Sequence, residues 1–560
     1  MKKTTLLIIL FLLGIIISDA QKNITIFYNT NVDTLKNILG GNRLWENTID
    51  LIQNEGIDMI RIHDYHDAGD YCFYSKFWNT NLSGDFTTIN TSFNPNNPFD
   101  YDWNSTDSII NQIISNNFSV YFRIGVSFPN PSILPMCPYT PPYSSVTDTL
   151  NFSKFASLSK HTVMHYNHSW DNGFNYNIKY WEVWNEPGGA FWDSSATQFY
   201  QMYREVSDSI KYYDSTVFVG GPGAVPTTTI GINPKYREHF IEYCANNNID
   251  LDFYSWHIYG AKNPYGIKMH ADTIRNILNA NGFVNSQSII SEINLELSSG
   301  VDTLKDSPYG AAYYLSTVLT MYDTYVDKLL WYPSSCHVMN FSGDTISSRS
   351  YYALSSLKKL QTETPIRVNC LGSEVVDNAW DQDTTNLMIL AGKSVTNDKL
   401  YFLISNLNSD NSSFNINLEN LPWNTNDSIK IIRNEITYDN RYLQTDTTVI
   451  GNNTIAITAN NFSSPSVLFY RVEKQPTTNI FNLQNDNKII ITNPVKENIK
   501  IKNIPETCKL IEIYNINGQR IMVSENKNEI NVNSLSTGMY FIVFKDNKNT
   551  NIDLIKFQKL

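Results

Sequence analysis

The chain has 560 residues, 42% of them hydrophobic, which is too long for one ordinary domain, and its formal net charge is −12. No dense Lys/Arg cluster occurs outside the tail, so a phosphate backbone would be repelled and nucleic acid is excluded as a partner. The six cysteines are scattered without a CxxC pair, which excludes a zinc knuckle and a dithiol redox motif.

In chain order, Lys2 and Lys3 precede the apolar run LLIILFLLGIII, and Ser18, Asp19 and Ala20 form a small-residue site. This pattern predicts a secretory signal peptide over 1–20, cut before Gln21. No later stretch approaches the roughly 20 apolar residues of a membrane helix, so no transmembrane segment is expected in the mature chain. The run ITIFYN that follows is read as a strand added to a later β-domain.

From residue 36 onward, short apolar runs alternate with amphipathic stretches. Strands are predicted at 36–39, 58–63, 120–125, 179–185, 217–220, 251–256, 288–291 and 328–332. Between them, 105–116, 196–213, 235–246 and 308–325 carry apolar residues at three- and four-residue spacing. Eight strand–helix alternations predict an α/β fold, a (β/α)8 barrel over 21–362. Helical periodicity then disappears, and alternating runs such as LYFLISNL, FNINLENL and VLFYRVE predict a β-sandwich over 363–473. A polar linker at 474–482 leads to a small all-β segment over 483–560.

A barrel of this kind collects its chemistry where the C-terminal ends of the strands converge. The fourth strand ends as YWEVWNEPGG, with Asn185 and Glu186 after an aromatic run. A carboxylate in that setting needs a partner or a task. The seventh strand ends as SIISEINLEL, which places Glu292 directly after its apolar run. Both strands open into one bowl, so Glu186 and Glu292 form a candidate carboxylate pair. Glu296 competes with Glu292 but lies past the strand end, and Glu182 shares parity with Glu186 but lies deeper. Adjacent residues of a regular strand cannot both point inward, so irregular backbone is expected at Asn185–Glu186, with Pro187 stopping further pairing.

Other polar groups end the remaining strands. His257 and Tyr259 sit two apart after the sixth, on the same side if extended. The cluster HDYHD (63–67) has metal-ligand types, although a wall of hydrogen-bonding side chains explains the same residues. His161, His165 and His168 lie at helical spacing and read as a helix surface. Cys72 and Cys137 follow the second and third strands, which makes them a candidate disulfide between neighbouring loops.

RIHDYHDAGD, VYFRIG, WEVWNEP, VGGPG, DFYSWHIYG and SEIN occur in the order found in glycoside hydrolase family 39, which this chain resembles over about residues 36–360. The resemblance implies a retaining glycosidase that needs no cofactor and no metal, with Glu186 as acid/base and Glu292 as nucleophile. It further implies that Asn185, Arg61, His63, His257 and Tyr259 contact the sugar or the two carboxylates, and that Trp331 forms an aromatic floor. The segment YPSSCHVMNFSGD after Trp331 lacks the acidic pair found near this point in the family's xylosidases, which is a departure from the xylosidase pattern; the resemblance still implies β-xylosidase as the leading substrate class, and the family also contains α-L-iduronidases. A barrel that binds carbohydrate without turning it over is the alternative, and a surface adhesin a third. NPVKENIKI, LIEIYNINGQRI, INVNSLSTGMYFIVF and IKFQKL resemble the C-terminal sorting domain of the type IX secretion system. That likeness implies the type IX machinery as a partner and a secreted or surface-attached product.

Overall fold

The computed structural model describes residues 21–63, 75–80, 86–125, 149–188, 191–192, 194–228, 231–260, 263–295, 302–341, 344–375, 386–476 and 489–560. The signal-peptide segment, Asp64–Asp67 of the HDYHD cluster, Glu296 and the Cys72–Cys137 pair lie outside the described residues. Among the described residues, Cys244, Cys336, Cys370 and Cys508 are free thiols.

Eight parallel strands close into a barrel: Leu39–Asn42, Met59–Ile62, Ser119–Ile124, Tyr180–Val183, Phe218–Ala224, Phe253–Tyr259, Gln287–Asn294 and Val326–Trp331. The first strand starts three residues later than its apolar pattern indicates. Leu35 and Ile38 are buried ahead of it, so the pattern reports the core beneath the barrel as well as the strand. Inward-facing Met59, Tyr121, Phe253, Ile289 and Leu330 close the interior as an apolar layer. Outside it, helices bury one face each. In Ala196–Tyr213, Phe199, Met202, Tyr203, Val206 and Ile210 recur at helical spacing, and a capping box of Ser195 and Gln198 satisfies the first-turn amides.

The strand Gln21–Thr34 pairs in parallel with Ser413–Glu419 and antiparallel with Ile366–Leu371, so the chain's first strand belongs to the β-rich region and not to the barrel. Register shifts after Phe27 and Asn31 let this long strand turn, and a ten-stranded sheet folds around a core that includes Ile26, Phe402, Phe414, Ile416 and Tyr470. Helix Pro308–Met321, buried at every position but the partly exposed Tyr309, packs on this sheet, with the Ser405 hydroxyl donating to the Ala312 carbonyl at 2.9 Å. That sandwiched position explains why its sequence is apolar all round rather than striped.

Residues 477–560 form a separate compact unit. Its described part has a four-stranded sheet, Arg520–Glu525, Leu510–Asn515, Gly538–Lys545 and Asn551–Lys559, and a three-stranded one, Ile490–Ile491, Asn498–Lys502 and Glu529–Asn531. Ile499, Ile511, Ile513, Ile542, Phe544 and Phe557 make its core. No helix among the described residues is long and apolar enough to cross a membrane.

Candidate active site

The fourth strand stops at Val183, and the next residues leave extended geometry: Trp184 has φ 78° and Glu186 φ 46°. Left-handed backbone at a tryptophan and a glutamate costs on the order of 1–3 kcal/mol each, so surrounding contacts must hold it. The Trp184 amide donates to the Ile124 carbonyl (2.8 Å), the Glu186 amide to the Gly223 carbonyl (3.1 Å), and the Trp184 indole to the Phe191 carbonyl (2.9 Å). The two turns aim Asn185 and Glu186 into one bowl, which a regular strand cannot do. At the seventh strand a register shift against the sixth pairs His257 with Glu292, and this irregularity brings Glu292 to the interior.

One oxygen of Glu186, one of Glu292 and one nitrogen of His257 lie within 4.8 Å of one another. The His257 ring spans the gap: Nδ1 is 2.7 Å from Glu186 Oε1 and Nε2 is 3.6 Å from Glu292 Oε1. Tyr259 donates its hydroxyl to Glu292 Oε2 at 2.5 Å, and His63 Nε2 lies 3.1 Å from Glu292 Oε1. Arg61, wholly buried, donates from Nη1 to Glu292 Oε1 at 2.7 Å, from Nη2 to Asn185 Oδ1 at 2.8 Å, and from Nε to Glu182 Oε2 at 2.6 Å. Glu186, His257 and Glu292 have the ligand types of a metal site, but a guanidinium already supplies the positive charge beside Glu292 that a cation would have to share.

Burial shapes the protonation of these groups. It pushes the Glu292 carboxyl up, as does the nearby Glu186 charge, while His257 and Arg61 pull it down and leave it above its ordinary value. Glu292 lies deeper, with its side chain 5% exposed against 19% for Glu186, and so carries the larger desolvation. Burial, with Arg61, Arg123, His257 and Arg43 around it, drives the His63 imidazole well below its usual value and so keeps it neutral. The Tyr259 phenol is pushed well up by burial and by Glu292, and it stays a donor.

The structure thus brings Asn185, Glu186, Arg61, His63, His257, Tyr259 and Glu292 together. Arg61 and His257, both fully buried, reach the bowl through the carboxylates and not by touching its contents. Trp331 is a correction. It is fully buried and packs edge-on against Tyr314 (5.2 Å) and His337 (4.8 Å) on the helix side of the barrel, so it offers no ring to a sugar. The reason is parity: Leu330 points into the barrel interior, so its neighbour points out. The next residue, half-buried Tyr332, faces His63 and Tyr259 edge-on at 5.9 and 6.2 Å, and sequence reasoning missed it. It also missed Asn42, which accepts from Arg61 Nη1 at 3.0 Å and donates to the Ser291 carbonyl at 2.8 Å. The ending LGGN of the first strand was the available signal.

Two of the three helical histidines are a second correction, while His168 is exposed as its spacing indicated. His161 and His165 are buried, with His165 stacked 4.0 Å from Trp103 and bonded to Asp107 at 3.0 Å, so an aromatic cluster claims them. Against the backbone after Glu186, a cavity of about 650 Å³ opens between Pro187, Trp192, Tyr200, Asn233 and Tyr236, a size that suits small sugars.

Comparison with known proteins gives the same frame. Residues 13–351 match the model of glycosyl hydrolases family 39, and residues 489–556 match that of the secretion system C-terminal sorting domain, which marks the chain for export to the cell surface or beyond. A β-xylosidase of Geobacillus stearothermophilus is 24% identical over 261 residues, covering 42% of this chain and 49% of that protein. A β-xylosidase of Caldicellulosiruptor saccharolyticus is 32% identical over 82 residues, 14% of this chain and 15% of that one. The chain therefore matches half the length of these relatives or less. Among solved structures, a glucosidase from Croceicoccus marinus superposes with a TM-score of 0.62 at 18% identity, covering 82% of this chain and 100% of that one. A bacterial orthologue of human α-L-iduronidase gives 0.56 at 12% identity, covering 96% and 99%. These structural likenesses show a shared fold, whereas the family model spans more than half of the sequence, and on that ground the chain belongs to glycosyl hydrolases family 39.

Proposed function

We propose that this chain is an exported retaining glycosidase that cleaves poly- or oligosaccharides by double displacement through Glu186 and Glu292. The observation that carries the reading is their spacing: one oxygen of each lies within 4.8 Å of the other, which supports the roughly 5–5.5 Å of retaining pairs over the about 6.5–9.5 Å of inverting ones. In the first half-reaction a Glu292 oxygen bonds to the anomeric carbon, the bond to the leaving oxygen breaks, and Glu186 donates the proton that this oxygen needs. In the second, Glu186 takes a proton from water as the water attacks, and Glu292 departs as a carboxylate. Arg61, His63 and Tyr259 supply donors to Glu292 and fix which lone pair it presents. Asn185, held by Arg61, is placed to bond the sugar hydroxyl beside the reacting carbon. No cofactor enters either step.

β-Xylosides are the leading substrate class, because the two sequence relatives carry that name. The C-terminal unit supports delivery by the type IX machinery, followed by removal of the tail with release or surface attachment. A screen of nitrophenyl glycosides and oligosaccharides with wild type and Glu186→Gln tests the reading. Hydrolysis by wild type, lost in the variant on natural linkages, is the expected result. Binding of oligosaccharide without turnover would instead establish a non-catalytic carbohydrate-binding barrel.

A further inference from the structure

The bowl contains two candidate catalytic carboxylates, but the interior beneath it holds a third, Glu182. It is completely buried, one inward position deeper than the end of the fourth strand, and it does not reach the bowl. Its Oε2 accepts from Arg61 Nε at 2.6 Å and its Oε1 from the Tyr121 hydroxyl at 3.1 Å. The fifth strand covers it with Gly223, whose φ is 61°. A Cβ there would stand 3.5 Å from Glu182 Oε1, 3.6 Å from Arg61 Nη2 and 3.2 Å from His257 Nε2, so the trio is packed against backbone. One buried guanidinium thus serves two buried carboxylates, Glu182 from below and Glu292 from above.

We propose that Glu182 is a positioning residue for the nucleophile: it holds the counter-charge of Arg61, so that Glu292 can give up its negative charge to the sugar without stranding a buried cation. The inference rests on the reading of Glu292 as nucleophile. When Glu292 Oε becomes an ester oxygen, the negative charge passes to Glu186, which has given its proton to the neutral departing group, and the carboxyl that Arg61 contacts is left uncharged. Arg61, wholly buried, would then be unmatched, because its other acceptors are the neutral amides of Asn42 and Asn185. Glu182 takes no part in either half-reaction and keeps its contact with the Arg61 Nε throughout. In the free enzyme the same arrangement divides the pull of Arg61 between two anions, so Glu292 is held less tightly and remains the better nucleophile. The groups around Glu292 that share this balance are Arg61 and His63 from the second strand, Glu186 after the fourth, and His257 and Tyr259 from the sixth. Around Glu182 they are Arg61, Tyr121 and the buried Arg123 from the third strand, the latter in register with Glu182, and His257 across Gly223.

The test uses full-length Glu182→Gln and Glu182→Asp, with two readouts. The first, free of any substrate, is a ¹³C-carboxyl titration of Glu292, assigned through Glu292→Gln. The second is the pH profile of kcat/KM on 4-nitrophenyl β-xyloside or whichever aryl glycoside the screen identifies. Glu182→Gln hands the whole of Arg61 to Glu292, so the Glu292 midpoint and the acid limb should both move down by about one pH unit, with kcat/KM lower by roughly 10- to 100-fold. Glu182→Asp keeps the charge one methylene away and should give a smaller shift in the same direction, which preserves the test if Gln does not fold. A merely structural Glu182 would lower the melting temperature and leave both pH readouts in place, and an unmoved Glu292 midpoint in a folded variant overturns the inference. A moved midpoint in an enzyme that cleaves no glycoside would uphold the charge link and overturn the reading of Glu292 as nucleophile.

Discussion

Two layers of the same barrel interior lie one to two steps of the pleat apart. The lower is Met59, Tyr121, Phe253, Ile289 and Leu330, and the upper holds Arg61, Glu182, His257, Glu292 and, past the strand end, Tyr332. Inward positions recur every second residue, so Met59 leads to Arg61 and His63, and Phe253 to Ser255, His257 and Tyr259. The lower layer is stabilised by contact area, and apolar residues of similar volume would serve at each of its positions except Tyr121, whose hydroxyl donates to Glu182. Each polar group of the upper layer is tolerated in a buried place only by its partners. Arg61 alone donates to four acceptors. The lower layer should therefore fail through stability and the upper through chemistry.

The largest expected effect lies in the upper layer. Glu292→Ala should cut turnover by on the order of 10⁴-fold or more, and azide or formate acting from the vacated space should restore some cleavage with inverted product. Glu186→Ala comes next, with a loss of about 10²–10⁴-fold on natural oligosaccharides. Its glycosyl-enzyme should still form from an activated aryl glycoside and stall until azide intercepts it with retained configuration, which product NMR reads directly. In the lower layer, Leu330→Ala should cost about 2–5 kcal/mol in denaturant unfolding while the folded fraction keeps a near-normal kcat. The smallest effect on catalysis is expected for Trp331→Phe, whose ring lies on the helix side: thermal stability should fall, and KM should stay within about twofold of wild type.

The repeat of strands and helices, the carboxylates at the ends of strands four and seven and the all-β tail were legible in the sequence, because periodicity and position along a strand are local properties. What escaped depends on geometry that periodicity does not carry. The left-handed turns at Trp184 and Glu186 were foreseen only as some irregularity, since the contacts that hold them come from Ile124, Gly223 and Phe191 on other segments. Trp331 was placed under the sugar by family likeness, and strand parity alone would have favoured Tyr332 once Leu330 was known to face inward. The burial of His165 follows from Trp103 and Asp107, some 60 residues away in sequence, and that of His161 from the Trp170 ring, and no helical spacing announces either. Arg61 at the centre of the site is likewise a tertiary fact.

The central claim is that Glu292 attacks the sugar while Glu186 handles the proton. The most direct measurement is covalent trapping: incubation with a 2,4-dinitrophenyl 2-deoxy-2-fluoro-β-xyloside, or the corresponding glycoside of whichever sugar the screen selects, followed by intact mass and peptide mapping. The account predicts one added sugar on Glu292, formed more slowly in Glu182→Gln. A label on Glu186 or Glu182, or steady hydrolysis to inverted product with no adduct, would contradict it.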